Sequence, residues 1–270
     1  MVVATYRDLA EFGLPFITPG QPAFDLGFEE IRRNPTPFGP VVERVPERAA
    51  ILENRTGRAV IVLSYVWRYT NVNGETRTTR HTNLGSSRQL DVLTGREKAV
   101  WDMSTFILPG SARLITEDGM FGDNRDVLPP QTGGGGGWMG ARGGGGSGAL
   151  GSDAVAVELE LDTAILEDGL CVGPDAFGLR ERLTEQITKQ IEIAGEIVRE
   201  LRAGAMRGRI FDMLRPLAGE RVMSVLHFTP LLSMFARSAI NHLTHMEDTS
   251  LLAWFEAASA STPLQLHPPK

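Results

Sequence analysis

The residues best suited by type and spacing to do chemistry are His242 and His245, three apart, followed by Glu247 and Asp248. Imidazoles at i and i+3 share one helical face, the arrangement from which a zinc site begins. Zinc asks for a third ligand at defined spacing, and no HExxH pattern supplies one. The expectation is therefore a pair of surface histidines at a helix end. His81 stands beside Arg80 in a Thr-rich stretch and is expected to be solvated, whereas His227 lies in an apolar stretch and is expected in the core. Glu158 and Glu160 share one strand face, as a catalytic carboxylate pair would. They alternate with apolar residues, however, in the manner of an ordinary solvent face. Cys171 is the only cysteine, so no intrachain disulfide forms, and a buried, inert thiol is expected. The acidic turn Glu167-Asp168-Gly169 lacks the further oxygen ligands of a calcium loop. No GxSxG elbow is present. These residues imply no catalytic set, no metal and no cofactor.

The run TGGGGGWMGARGGGGSGALGS, Thr132 to Ser152, invites a phosphate-loop reading. A Walker loop ends in Lys followed by Ser or Thr and opens a helix. This run contains no Lys, and the pattern after it is a strand, so it offers no helix N-terminus to a pyrophosphate. Two readings stay open. One is a tolerated glycine-rich connection between strands. The other is a tether presenting Trp138, Met139 and Leu150 to a partner or a neighbouring subunit.

The elements around these residues follow from periodicity. Residues 1–47 are rich in Pro and Phe, with Phe12, Phe16, Phe24, Phe28 and Phe38 as apolar anchors. They read as an ordered arm lying across another surface, with a short helix around Asp25–Arg33. From residue 48 to 173 the pattern is β. Ala59, Ile61, Leu63, Tyr65, Trp67 and Tyr69 recur at period two on one long strand. Asn73-Gly74 marks a hairpin into a Thr-rich edge strand. Short strands are expected near Gln89–Leu93, Lys98–Met103, Thr105–Leu108 and Ala112–Thr116. Val155, Val157, Leu159 and Leu161 alternate with Ala156, Glu158, Glu160 and Asp162 as a half-buried strand. Seven or eight short strands separated by turns imply an antiparallel β-sandwich of immunoglobulin-like type.

Residues 174–258 change to helical character. Asp175 can cap a helix of about 30 residues, about 45 Å long. Its stripe is Leu183, Ile187, Ile191, Ala194, Val198, Leu201 and Ala205, an amphipathic pattern near enough to a heptad to allow helix–helix dimerisation. Shorter Met- and Phe-rich helices follow, broken near Pro216–Gly219 and at Pro230. Residues 259–270 are expected to be a frayed tail.

Two stretches, LENRTGRAVIVLSYVWRY and LDTAILEDGLCVGPDAFGLRERLTEQ, mark a resemblance that extends over about a third of the chain. They resemble small bacterial β-sandwich proteins of Acidobacteria-like genomes. The motif is Glu167-Asp168-Gly169, then Gly173-Pro174-Asp175, then Glu181-Arg182. The resemblance implies a strand, a turn and a capped helix, and implies no activity.

Composition narrows function only by class. The chain of 270 residues is 42% hydrophobic and 22% charged, ordinary for a globular protein. Its net charge of -6, with Arg interleaved among acids, disfavours nucleic acid as a partner. No signal-peptide pattern and no apolar run of membrane-spanning length is read, which leaves the cytoplasm as the default expectation. Between Arg221 and Arg237 no charged residue occurs. Met223, Phe228, Leu232, Met234 and Phe235 there form either a buried helix pair or a docking surface for protein or lipid. The leading expectation is a non-catalytic interaction, structural or assembly protein of bacterial type, acting through a protein partner or self-association. The alternatives are a peripheral membrane protein using the 221–237 surface and a hydrolase with a dispersed site.

Overall fold

The computed structural model describes residues 3–33, 49–84, 87–96, 106–116, 119–121, 154–219 and 231–269. The chain is mixed α+β. Strands β1 (Val3–Arg7), β2 (Phe16–Ile17), β3 (Ala49–Glu53), β4 (Val60–Asn71), β5 (Thr76–Thr82), β6 (Ala112–Thr116), β7 (Gly119–Phe121), β8 (Ala154–Leu166) and β9 (Cys171–Val172) build two sheets. The first runs β1-β8-β4-β5, with β9 added to β8, and the second runs β2-β3-β6-β7. Pairing is antiparallel except between β1 and β8, which run parallel. The helices are α1 (Pro22–Arg33), α2 (Ser87–Leu93), α3 (Leu179–Arg202), α4 (Arg207–Gly219), α5 (Leu231–His245) and α6 (Asp248–Ser259).

Two large buried clusters hold most of the buried apolar residues, and a small third one gathers Phe24, Ala49, Ile51 and Leu114. Leu63, Tyr65, Trp67, Tyr69, Val157, Leu159 and Leu161 of the first sheet meet Phe16, Ala50, Leu52 and Ile115 of the second. Trp67 crosses this core and donates its indole N–H to Thr116 O at 3.0 Å, so its one polar atom is satisfied where water is excluded. The other cluster lies between the first sheet and the helices. It takes Ala59, Ile61, Val62, Ile165 and Cys171 from the sheet.

Period two alone places Ala59 and Ile61 on the face of Leu63 and Trp67. The structure sends them to the helical side instead. The register shift between Val60 and Val62 breaks the alternation, with Ile61 as the extra residue on β4, while the shift between Ser64 and Tyr65 places its extra residue, Asp162, on β8. The irregularity at Ile61 rotates the strand, so one sequence stripe serves two cores.

Other expectations are corrected locally. Residues 87–93 form α2, not a strand. Leu90 and Leu93 are buried, and Thr94 Oγ1 closes the last turn on Leu90 O at 2.8 Å. Gly95, at φ 75°, ends the helix in the left-handed conformation. A short apolar run does not separate strand from helix by periodicity. Of the other expected short strands, Ala112–Thr116 forms β6, Ile107 makes only an isolated bridge with Val60, and 98–105 lie outside the described residues. The N-terminal arm is woven in, since β1 joins the first sheet and β2 the second. Phe16 and Phe24 are buried, and Phe28 stacks on Phe24 at 5.6 Å. Helix α3 has 24 residues, about 36 Å at 1.5 Å per residue, and Gly204 follows it at φ 80°. The terminal stretch expected to fray is hydrogen-bonded to Leu93, Gly169 and Cys171. Among the described residues no helix is long and apolar enough to cross a membrane.

Candidate functional site

The most concentrated chemistry lies where the first sheet meets the start of α3. On the outer face of that sheet β8 presents Glu158, Glu160 and Asp162 at period two. Arg7 (β1), Arg68 (β4) and Arg80 (β5) stand on the neighbouring strands. Arg7 Nε lies 2.9 Å from Glu158 Oε1, and Arg68 Nη1 lies 3.2 Å from Glu158 Oε2 and also donates to Glu160. The hydrogen bond with Glu160 raises the Arg68 guanidinium above its ordinary value, against a smaller opposing effect of burial. This end of the row is half open, with Glu158 and Glu160 side chains 24% and 20% exposed. The two glutamates expected to form a plain solvent face are therefore each ion-paired.

The row continues inward to a buried pair. The Arg80 and Asp162 side chains are only 6% and 2% exposed, with Nη2 3.3 Å from Oδ2. Arg80 Nε also donates to Ser64 Oγ at 3.2 Å. Asp162 Oδ1 accepts the Ala176 N–H at 2.9 Å. The Thr163 hydroxyl lies 3.1 Å from Asp162 Oδ2 and 3.2 Å from Asp175 Oδ1, with one proton to give. Burial pushes the Asp162 carboxyl above its ordinary range, opposed by the Arg80 charge. Burial likewise lowers the Arg80 guanidinium, opposed by Asp162. Each charge is thus held in place chiefly by the other.

The loop from Gly173 to Gly178 wraps this pair. A Cβ at Gly173 would stand 2.4 Å from Asp162 O, so only glycine lets the loop approach. Asp175 adopts φ 47°, an uncommon conformation for a residue with a side chain. From there its carboxylate caps α3, accepting Leu179 N–H at 2.6 Å and Arg180 N–H at 3.3 Å, as the sequence leads one to expect. The Arg80 guanidinium then stands over the Phe177 ring, with Cζ 4.1 Å from the centroid, and Phe177 remains 40% exposed. The result is a fixed aromatic ring at the inner end of a row of paired charges.

The other candidate residues are dispersed. His242 packs against Trp254 at 4.7 Å between ring centroids, and burial lowers its pKa. His245 is exposed, and Asp248 pairs with Arg207. Among the described residues no group of three or more His, Cys, Asp or Glu is placed to hold a metal ion. His81 is buried and stacked on Tyr65 at 5.1 Å, not solvated, because β5 turns that residue toward the sheet neighbour it pairs with. Cys171 is buried, and loss of solvation pushes its thiol up to about 11. Asp168 pairs with Arg58 at 2.7 Å.

Of the contact candidates, Phe235 is fully buried between Trp254 and Phe255, which removes it from any surface. Leu232 and Met234 are half-buried. Trp138, Met139, Leu150, Met223 and Phe228 lie outside the described residues, as do the glycine run and His227. Sequence reading misses the Arg80–Asp162 pair. The available signal is Asp162, which continues the Glu158–Glu160 alternation into a segment, Ala164–Leu166, that is apolar at every position. Comparison with known proteins yields no matching family, no similar curated protein and no similar solved structure.

Proposed function

We propose that this is a non-catalytic interaction or assembly protein that meets a protein partner through the outer face of the first sheet. In this reading the two sheets form a sandwich of immunoglobulin-like type that serves as scaffold, and α3 is the amphipathic helix that anchors the helical layer. The observation that carries it is Phe177, an exposed ring immobilised on a buried guanidinium beside the Arg7, Glu158, Arg68 and Glu160 row. Interfaces concentrate their binding energy in rigid aromatic and arginine anchors ringed by polar groups. A ring already fixed in place loses little conformational entropy on binding. The carboxylates nearby are engaged by arginines or backbone N–H groups, which suits complementarity better than proton transfer.

The test is Phe177→Ala. The ring is partly exposed, so thermal stability changes little while affinity for the partner falls at least tenfold, about 1.4 kcal/mol. Capture from native cells by the tagged wild-type chain and by the variant, read by quantitative mass spectrometry, should give one partner lost with the variant. An identical set captured by both chains would remove this face from the proposal.

A further inference from the structure

Residues 260–269 leave α6 and run across the joint between the helices and the first sheet. None of them is buried, yet their seat is shaped for them. The Leu264 N–H donates to Leu93 O at 2.9 Å and the His267 N–H to Gly169 O at 3.1 Å, while His267 O accepts the Cys171 N–H at 2.7 Å. Leu170 and His267 bridge in the parallel sense, so the segment lines the side of β9 away from β8. Two glycines make the room. A Cβ at Gly95 would stand 1.9 Å from Thr262 O, and one at Gly169 would stand 2.1 Å from Gln265 O. Leu264 and Leu266 rest half-buried on the helical core.

We propose that this seat is a strand-accepting edge that also takes residues 262–267 of a second copy of the chain, so that two molecules pair by exchanging C-terminal segments. The occupant is identified by what already sits there. A second copy brings the same backbone spacing and the same two leucines to the same two glycines. The segment is held by three backbone hydrogen bonds and no buried side chain, which places it at the low-stability end of the fold. When it leaves, the Gly169 carbonyl and the Cys171 N–H become an open edge, the feature by which sheets recruit further strands. Exchange of an identical element is a low-cost route to a symmetric dimer. Closure within one chain has the advantage of its short tether, so exchange dominates where that reach is cut. This pairing is separate from the Phe177 surface and stands or falls without it.

Deleting Ala260 and Ser261 shortens the reach from α6 by up to ~7 Å. The shortened chain is expected to have twice the monomer mass by light scattering, with the Cys171 amide still protected from hydrogen exchange. Adding Gly169→Ala to it should restore the monomer and remove that protection. A shortened chain that stays monomeric up to about 1 mM, the effective concentration of a short tether, overturns the proposal. If the shortened chain does not fold, the full chain decides. Nitrogen-15-labelled wild type is mixed, above the tether's effective concentration of about 1 mM, with unlabelled wild type carrying a nitroxide on a cysteine added after Lys270. Broadening of the Leu170, Cys171 and Val172 amide signals supports exchange between copies, and unchanged signals refute it.

Discussion

Removing the Asp162 carboxylate should be among the most costly single changes in the protein. Asp162→Ala leaves the 5% exposed Arg80 without its counter-charge and strips the Ala176 N–H of its acceptor. Breaking a buried pair from one side costs about 3–5 kcal/mol, because the remaining charge stays desolvated. Domains of this kind hold only about 5–15 kcal/mol in total. Removing both charges at once is different. Arg80→Met with Asp162→Leu eliminates the desolvated ions together and leaves mainly the orphaned Ala176 N–H, about 1–3 kcal/mol. The double variant should therefore be more stable than Asp162→Ala despite carrying two changes. Urea unfolding followed by the fluorescence of buried Trp67, with matched m-values, reads all four corners of the cycle formed by wild type, Arg80→Met, Asp162→Leu and the double variant. A coupling below about 0.5 kcal/mol, the scatter expected of independent sites, or an Asp162→Ala cost below about 1 kcal/mol, would refute the reasoning that the two charges hold each other.

Gln190 is a fully buried amide on α3 whose Oε1 and Nε2 have no hydrogen-bond partner among the described residues. Gln190→Leu should therefore raise the urea midpoint, by about 1–2 kcal/mol of stability. With its thiol pKa at about 11 and the residue 4% exposed, Cys171 should react with a disulfide reagent at pH 8 only after denaturant is added. Measurable labelling of the native chain would contradict its burial.

How much of this is legible in the residues differs by element. Strand β8 and the capped start of α3 follow from local pattern, because alternation and an Asp before a helix act within a few residues. The long strand β4 is readable as a strand but not in its facing, since the register shift at Ile61 that divides it between two cores leaves no mark in composition. Helix α2 reads as a strand because seven residues are too few for either period to dominate. The C-terminal segment looks frayed in sequence because its anchoring is backbone to backbone and its specificity lies in Gly95 and Gly169, far away along the chain. Arg80 is hidden among exposed threonines, and its burial depends on Asp162, more than eighty positions later. Phe177 draws no notice because a lone Phe in a loop is common. Its distinction is the guanidinium beneath it.

Whether a partner covers the Phe177 face can be decided by hydroxyl-radical footprinting of the chain in its native cells and after purification. Phe177 is expected to be modified more slowly in cells than in the purified chain, while Leu26 and Met206, also exposed but elsewhere in the chain, react alike in both. Equal modification of Phe177 in the two settings would contradict a covered face.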